Sequence, residues 1–273
     1  MINKRIKNVI ADLLPPVVLR KYKGLSMNFR FRGNYPNWDQ AKKFSLGYDS
    51  DIVLNKVKGS MLKVKNGEYA FERDSVLFSD IQYPFHVLAG LLKIALLNSG
   101  KLNVLDFGGS LGSSYYQCRN FLKGLHKLTW NIIEQPKFVA CGKELFENEE
   151  LKFYYNIDAC NEVSQPDVVL LSGVVQYIEN PYVLLEDIMK NNFKYLIFDR
   201  TAFLKKGPDR LAIQKIPAHI YNCSYPIWFL NYDNFVARLL TKYELITTFD
   251  TIDQAGTLVF FKGMMLKLRN CKI

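Results

Sequence analysis

The chain has 273 residues, a mass of 31.6 kDa, 49% apolar and 23% charged residues, and a formal net charge of +10. That is a globular composition and excludes a disordered or collagen-like chain; no apolar run reaches the ~18 residues of a membrane-spanning helix. Five scattered cysteines without a CxxC pair exclude a disulfide framework and a structural zinc site, and fit a reducing, cytoplasmic compartment.

The charge sits at the two ends. Residues 1–23 carry six basic residues against Asp12, a net +5; residues 262–273 carry Lys262, Lys267, Arg269 and Lys272 and no acid; the body between is almost neutral. A nucleic-acid enzyme concentrates basic charge on its working domain, so this distribution argues against a nucleic-acid partner. It favours peripheral contact with an anionic membrane surface, or with an anionic carrier on a substrate, against the plainer reading of solvated termini. The apolar stretch Val9 to Leu19 is interrupted by Asp12 and Pro15-Pro16 and lacks a small-residue cleavage site, so it does not read as a signal peptide.

In chain order, residues 1–23 suit a basic amphipathic helix broken at the proline pair. Residues 29–80 are aromatic and charged, with turn signals at Gly33-Asn34-Tyr35-Pro36 and Asn66-Gly67. Residues 1–80 therefore read as an N-terminal extension packed on a core of residues 81–273. From residue 84 a strand–helix rhythm begins. Val87 to Leu97 is an apolar helix ended by Asn98-Ser99-Gly100. Leu102 to Phe107 is a buried strand, followed by a glycine turn and a helix from Gly112 to Leu125. Leu128 to Glu134 is a second strand, and Pro136 opens a helix. Leu151 to Asn156, Asp167 to Leu171 and Tyr195 to Asp199 are three more strands, the last preceded by a helix over 181–190. Apolar strands alternating with helices imply βαβ units and a parallel sheet covered on both faces. Residues 200–228 read as a long aromatic and proline-rich connection, an acceptor-side insertion. A helix over 231–242 and two closely joined strands, Tyr243 to Phe249 and Thr257 to Phe261, close the chain as an antiparallel hairpin. The expected fold is α/β and Rossmann-like: a central, mostly parallel seven-stranded sheet with a terminal antiparallel hairpin, plus the N-terminal extension. This is the layout of class I methyltransferases, although layout alone does not assign function.

The chemistry concentrates after the first strand, at Asp106-Phe107-Gly108-Gly109-Ser110-Leu111-Gly112. A dinucleotide turn needs G-x-G-x-x-G; counted from Gly108, the second and third glycines fall on Ser110 and Ser113. The methyltransferase pattern acid-x-G-x-G-x-G is met by Asp106, Gly108 and Gly112 and departs only at Ser110. Its ligand brings an amino-acid tail and a ribose against the backbone, an approach that glycine permits. Glu134 ends the second strand, where a carboxylate can accept from both ribose hydroxyls; dinucleotide and methyltransferase clefts share such an acid. Asp158, past the third strand, is placed either for an adenine amino group or as a helix N-cap.

Several strings resemble a family of class I S-adenosylmethionine-dependent methyltransferases encoded in bacterial surface-polysaccharide (O-antigen and capsule) gene clusters. They are Gly47-Tyr48-Asp49, Glu72-Arg73-Asp74-Ser75-Val76-Leu77-Phe78, residues 105–115 (LDFGGSLGSSY), Glu134-Gln135-Pro136, residues 171–177 (LSGVVQY), Asp199-Arg200 and Ser224-Tyr225-Pro226. The resemblance spans about residues 30–230 and implies methyl transfer to a sugar or sugar-linked acceptor. It adds Gly109 and Gln135 to the cofactor cleft. Ser172 and Gln176, after the fourth strand, join them, since ligands of parallel sheets sit at strand C-termini. Arg73 and Arg200 are candidates for an anionic group, because a guanidinium grips carboxylate or phosphate in two places. Tyr225, with Tyr221, Trp228 and Phe229, is a candidate for stacking on a sugar ring. Asp199 and His219 are the candidate bases for a hydroxyl proton; His86 and His126 read as structural. Transfer from a sulfonium depends mostly on in-line positioning, so a dedicated base is not obligatory. No metal site is expected. Two rivals stay open: a nicotinamide-dependent sugar oxidoreductase, and a non-catalytic methyltransferase-like protein that binds a glycan or partner. A nucleic-acid methyltransferase is disfavoured by the near-neutral body and by the lack of an N/D-P-P-[YF] string.

Overall fold

A computed structural model describes residues 30–46, 50–216, 223–251, 253 and 259–269. His219, Tyr221, the Gly47-Tyr48-Asp49 string and the basic segment 1–23 lie outside the described residues.

The described residues begin with β1 (Phe31–Tyr35), α1 (Trp38–Lys43), α2 (Ser50–Lys65) and a hairpin of β2 (Phe71–Arg73) and β3 (Val76–Phe78). The core follows as α3 (Phe85–Leu97), β4 (Lys101–Phe107), α4 (Ser113–Leu122), β5 (Lys127–Ile133), α5 (Pro136–Leu145), β6 (Leu151–Tyr154), α6 (Ile157–Asn161), β7 (Val168–Ser172), α7 (Pro181–Lys190) and β8 (Tyr195–Leu204). It ends with β9 (Arg210–Lys215), β10 (Ser224–Asn231), α8 (Tyr232–Leu240), β11 (Tyr243–Asp250) and β12 (Val259–Leu268). Pro136 and Pro181 open their helices, where the missing N–H costs no hydrogen bond. Asn37, Asn156 and Asn231 cap α1, α6 and α8 by accepting from backbone N–H groups.

The sheet core runs β6-β5-β4-β7-β8, all parallel, and then β12 and β11, both antiparallel to their neighbours. This is the expected parallel sheet with its terminal hairpin. Alternation along the strands divides the core between the two faces. Val104, Leu170 and Ile197 join one cluster with α3 and α4; their neighbours Leu105, Leu171 and Phe198 join the other with α7 and α8. From α2, Val53, Val57, Met61 and Val64 enter the first cluster, so this part of the N-terminal region shares the core.

The stretch 200–228 differs from expectation. β8 continues five residues past Asp199, and β9 and β10 are strands rather than loop. Together with β1 they extend the sheet, in the order β1-β9-β10-β8, to ten strands among the described residues. Pro226 masks β10 in the sequence. It is tolerated because β10 meets β8 only at Leu230 and Asn231, leaving the rest of that edge without a ladder partner. β12 also runs past Phe261 to Leu268, pairing Lys262 and Lys267 into the sheet. Part of the basic C-terminal group is therefore strand, and Lys262 is paired with Asp250 at 2.8 Å.

Candidate functional site

Because β4, β5, β7 and β8 are parallel and in register, their C-terminal ends share one rim: Phe107 opposite Ile133, and Ser172 opposite Asp199. The chain leaves β4 for β5 on one side and returns to β7 on the other, which opens a crevice at the switch point. A cavity of about 1860 Å³ occupies it. A single-ligand pocket is usually 300–1,000 Å³, so this one has room for two.

The glycine turn forms one wall. Gly108 has φ +73° and donates to the Ile133 carbonyl at 2.8 Å; a Cβ there would fall on the Val174 side chain. A Cβ on Gly109 would stand 2.6 Å from the Asp106 carboxyl group. The turn thus has no space for side chains on its inner side. Ser110, the departure from the glycine pattern, adopts a left-handed conformation (φ +56°). Gly112 (φ +100°) starts α4. Asp106 lies beneath the turn, not on the cavity wall. It accepts from Trp130 Nε1 at 3.0 Å, and burial, reinforced by the Glu134 charge, pushes its carboxyl up to about 7 against the pull of Trp130. Its contact is with the loop that would hold a ligand.

Glu134 stands at the end of β5 and lines the cavity. Its carboxylate accepts the Gln135 N–H at 2.7 Å; burial raises its pKa, and the N–H groups of Gln135 and Ser110 oppose the rise. Gln135 and Asp158 line the same end. Asn156, not Asp158, caps α6, accepting from Ala159 N–H at 2.8 Å, so the capping role proposed for Asp158 falls to another residue. Ser172 and Gln176 line the opposite side. Ser172 Oγ donates to Asp199 Oδ2 at 2.8 Å, and Gln176 Nε2 donates to the Arg200 carbonyl at 3.0 Å.

A β-bulge explains why Asp199 and Arg200 both face the cavity. β12 pairs Met264 with Phe198 and Lys262 with Thr201, so Gly263 alone opposes the two residues Asp199 and Arg200. Arg200 takes up the extra residue in a left-handed conformation, φ +54°. Without the bulge, adjacent side chains would point to opposite faces. Arg200 Nε donates to Asp253 Oδ2 at 2.6 Å, and Nη2 stands 3.6 Å from Asp74 Oδ2. Burial alone would lower its pKa; Asp253 and Asp74 outweigh that and hold it above its ordinary value. Asp199 is buried and its pKa is raised for that reason, Ser172 and Arg200 pulling it back.

The β2–β3 hairpin closes the cavity from the N-terminal side. Glu72 accepts from Ser113 Oγ at 2.6 Å and from the Ser75 N–H at 2.5 Å, tying the hairpin to the start of α4. Burial pushes Glu72 up to about 7, with those two bonds opposing. Arg73 lies over the Phe78 ring at 5.4 Å and lines the cavity. Of the four aromatic residues expected against a sugar, Tyr225 lines the cavity, edge-on to Tyr177 at 5.3 Å. Phe229 is fully buried against Phe31, and Trp228 donates to the Glu179 carbonyl and stacks on Trp38. Both belong to packing because β10 is a strand.

Sequence reasoning missed Asp253 and Asp74 as partners of Arg200, since 53 residues separate Arg200 from Asp253 and no motif joins them. His86, read from the sequence as structural, stacks on Phe249 at 5.0 Å and lines the cavity. No cluster able to hold a metal occurs among the described residues, and no described helix is long and apolar enough to cross a membrane.

No family model and no curated protein matches the chain. Among solved structures, the N-terminal domain of EvdMO1 in the presence of SAH and D-fucose is similar at 12% identity and a TM-score of 0.50, covering 81% of this chain and 98% of that one. The mitomycin 7-O-methyltransferase MmcR is similar at 16% identity and a TM-score of 0.42, over 67% of this chain and 53% of that one. Magnesium protoporphyrin IX methyltransferase from Synechocystis PCC 6803 with bound SAM is similar at 13% identity and a TM-score of 0.43, over 81% and 98%. The strand order and the first of these likenesses establish the fold as Rossmann-like, of the class I methyltransferase type.

Proposed function

We propose that the protein is an S-adenosylmethionine-dependent methyltransferase acting on a hydroxyl of a sugar or sugar-linked acceptor. The observation that carries this reading is the meeting, at adjacent strand ends, of the Gly108-Gly109 turn with the carboxylate of Glu134, all three lining the cavity. The residues fit the cofactor: the bare turn admits an amino-acid tail and ribose, and Glu134 is an acceptor-only group for ribose hydroxyls. Bound there, S-adenosylmethionine supplies a methyl group already activated on a sulfonium.

In this reading Glu134 and Asp158 hold the ribose and adenine. Gly108, Gly109, Ser110 and Ser172 line the methionine side, Gln176 stands between that side and the acceptor side, and Gln135 flanks the ribose. Asp106 and Gly112 act through the turn. Asp199 takes the hydroxyl proton on its carboxylate as the acceptor oxygen gains the methyl; its raised pKa makes it the stronger base. His219 is the alternative base. Arg73, Arg200 and Tyr225 form the acceptor side, and the resemblance in the Glu72–Phe78 and Asp199–Arg200 strings supports an acceptor from surface-polysaccharide assembly. The +5 charge of residues 1–23 supports work at the inner face of an anionic membrane.

Methyl-labelled S-adenosylmethionine offered with monosaccharides, nucleotide sugars and lipid-linked sugars tests the reading. Transfer by the wild type, reduced 10²-fold or more in Asp199→Asn, is expected if Asp199 is the base. Cofactor binding without transfer to any saccharide favours the non-catalytic alternative.

A further inference from the structure

The cavity has a second polar end, away from Glu134 and Asp158. Six buried side-chain N or O atoms among the described residues have no hydrogen-bond partner. Four of them, Arg73 Nη1, Ser75 Oγ, Gln176 Oε1 and Thr251 Oγ1, belong to residues lining this one cavity. Buried polar atoms are nearly always satisfied, and exceptions ask for an explanation. The four make a matched set: a guanidinium donor, an amide acceptor and two hydroxyls that serve as either.

The charge at this end is uneven. Arg200 is neutralised by Asp253 and Asp74. Arg73 forms no ion pair among the described residues. Burial lowers its pKa and the Arg200 charge lowers it further, while Asp74, Asp253 and Asp199, at the hairpin and the β8 and β11 tips, pull it back. Strand alternation separates it from the donor side: Glu72 turns to Ser113 at the start of α4, so its neighbour Arg73 occupies the other face of the hairpin, over Phe78.

Resting on the methyltransferase reading above, we infer that Arg73, with Gln176, Ser75 and Thr251, forms an acceptor subsite for an acidic saccharide, one bearing a carboxylate or phosphate beside its hydroxyls. Arg73 takes the acid group; the hydroxyls and the amide oxygen take the ring hydroxyls. Such a ligand gives the unpaired guanidinium a charge-assisted, two-point partner, which a neutral sugar does not.

The test titrates D-glucuronate, glucose 1-phosphate and glucose into the full chain, with and without saturating S-adenosylhomocysteine. It is repeated on Arg73→Gln and Arg73→Lys, each checked for folding by circular dichroism. The expected result is that at least one acidic sugar binds tenfold or more tightly than glucose. Arg73→Gln abolishes that preference and changes S-adenosylhomocysteine affinity less than threefold. Which acidic sugar binds better identifies carboxylate or phosphate as the group recognised. Acidic sugars no better than glucose would overturn the proposal. So would an Arg73→Gln variant that loses S-adenosylhomocysteine tenfold and keeps its sugar affinity, since the arginine then serves the donor's carboxylate. Should Arg73→Gln not fold, Arg73→Lys and Thr251→Val decide, each expected to weaken the acidic sugar severalfold. Failure of the methyltransferase reading shows separately, as wild-type protein that does not bind S-adenosylhomocysteine; the titrations without it still decide the subsite.

Discussion

At the scale of single residues, carboxylates set the behaviour of the site. A hydrogen bond to a charged acceptor is worth about 1.5–3 kcal/mol, so losing the two ribose contacts proposed for Glu134 should weaken cofactor binding about 10²-fold in Glu134→Ala and about tenfold in Glu134→Gln, which keeps one acceptor. Equal losses in the two variants would remove Glu134 from the ribose. Glu72 gives a pH signature. Its carboxyl ionises near the ordinary 4.5 when unfolded and near 7 when folded. Between those values the folded chain binds the extra proton. The stabilisation is therefore complete below about 4.5 and is lost as pH rises through 7, by up to about 3 kcal/mol. Asp106, also raised to about 7, acts in the same direction. Thermal unfolding from pH 5 to 7.5 should show a falling Tm, with a shallower fall in Glu72→Gln; a slope unchanged by that substitution would contradict the assignment.

At the scale of elements, the turn after β4 tolerates side chains poorly. Gly108→Ala places a methyl group on Val174 and forces φ +73° on an L-residue. The conformational part costs about 1–2 kcal/mol and the overlap adds to it, so a Tm lower by several degrees is expected. Val174→Ala in the same chain should recover the overlap but not the conformational part; full recovery would mean the backbone is not strained. The parallel core was legible because βαβ units repeat an apolar run, a glycine or proline boundary and a helix, as from Leu102 through Lys190. β9 and β10 were not, since Pro226 reads as a breaker and β1, which pairs with the outer edge of β9, is about 180 residues away in the chain. The place of Gly108, Glu134 and Asp199 on the cavity was legible because they stand at strand C-termini, where the crevice of this architecture opens. The hairpin residue Glu72 and the Arg200–Asp253 pair depend on contacts across distant segments, which no local pattern encodes. The bulge at Asp199-Arg200 is equally silent, being a difference of one residue between two strands.

At the scale of the whole molecule, charge and cavity divide the labour. The rim of the sheet holds the cavity, while the excess positive charge lies at the chain ends, with Lys262 already committed to Asp250. A peripheral membrane role therefore rests on residues 1–23. Deleting residues 2–23 should lower co-sedimentation with anionic vesicles several-fold at low salt and leave cofactor affinity unchanged; undiminished sedimentation would take that segment out of the account. At about 1860 Å³ the cavity has room for both the donor and the acceptor of the proposed transfer.

The central claim is that the glycine turn and Glu134 form a cleft for S-adenosylmethionine. Calorimetric titration of the folded protein with S-adenosylhomocysteine, beside NAD and beside the Glu134→Ala variant, tests it most directly. The account predicts binding of the sulfur cofactor, a loss of about 10²-fold in the variant, and no heat with NAD. Binding of NAD in its place, or no binding of either by folded protein, would contradict it.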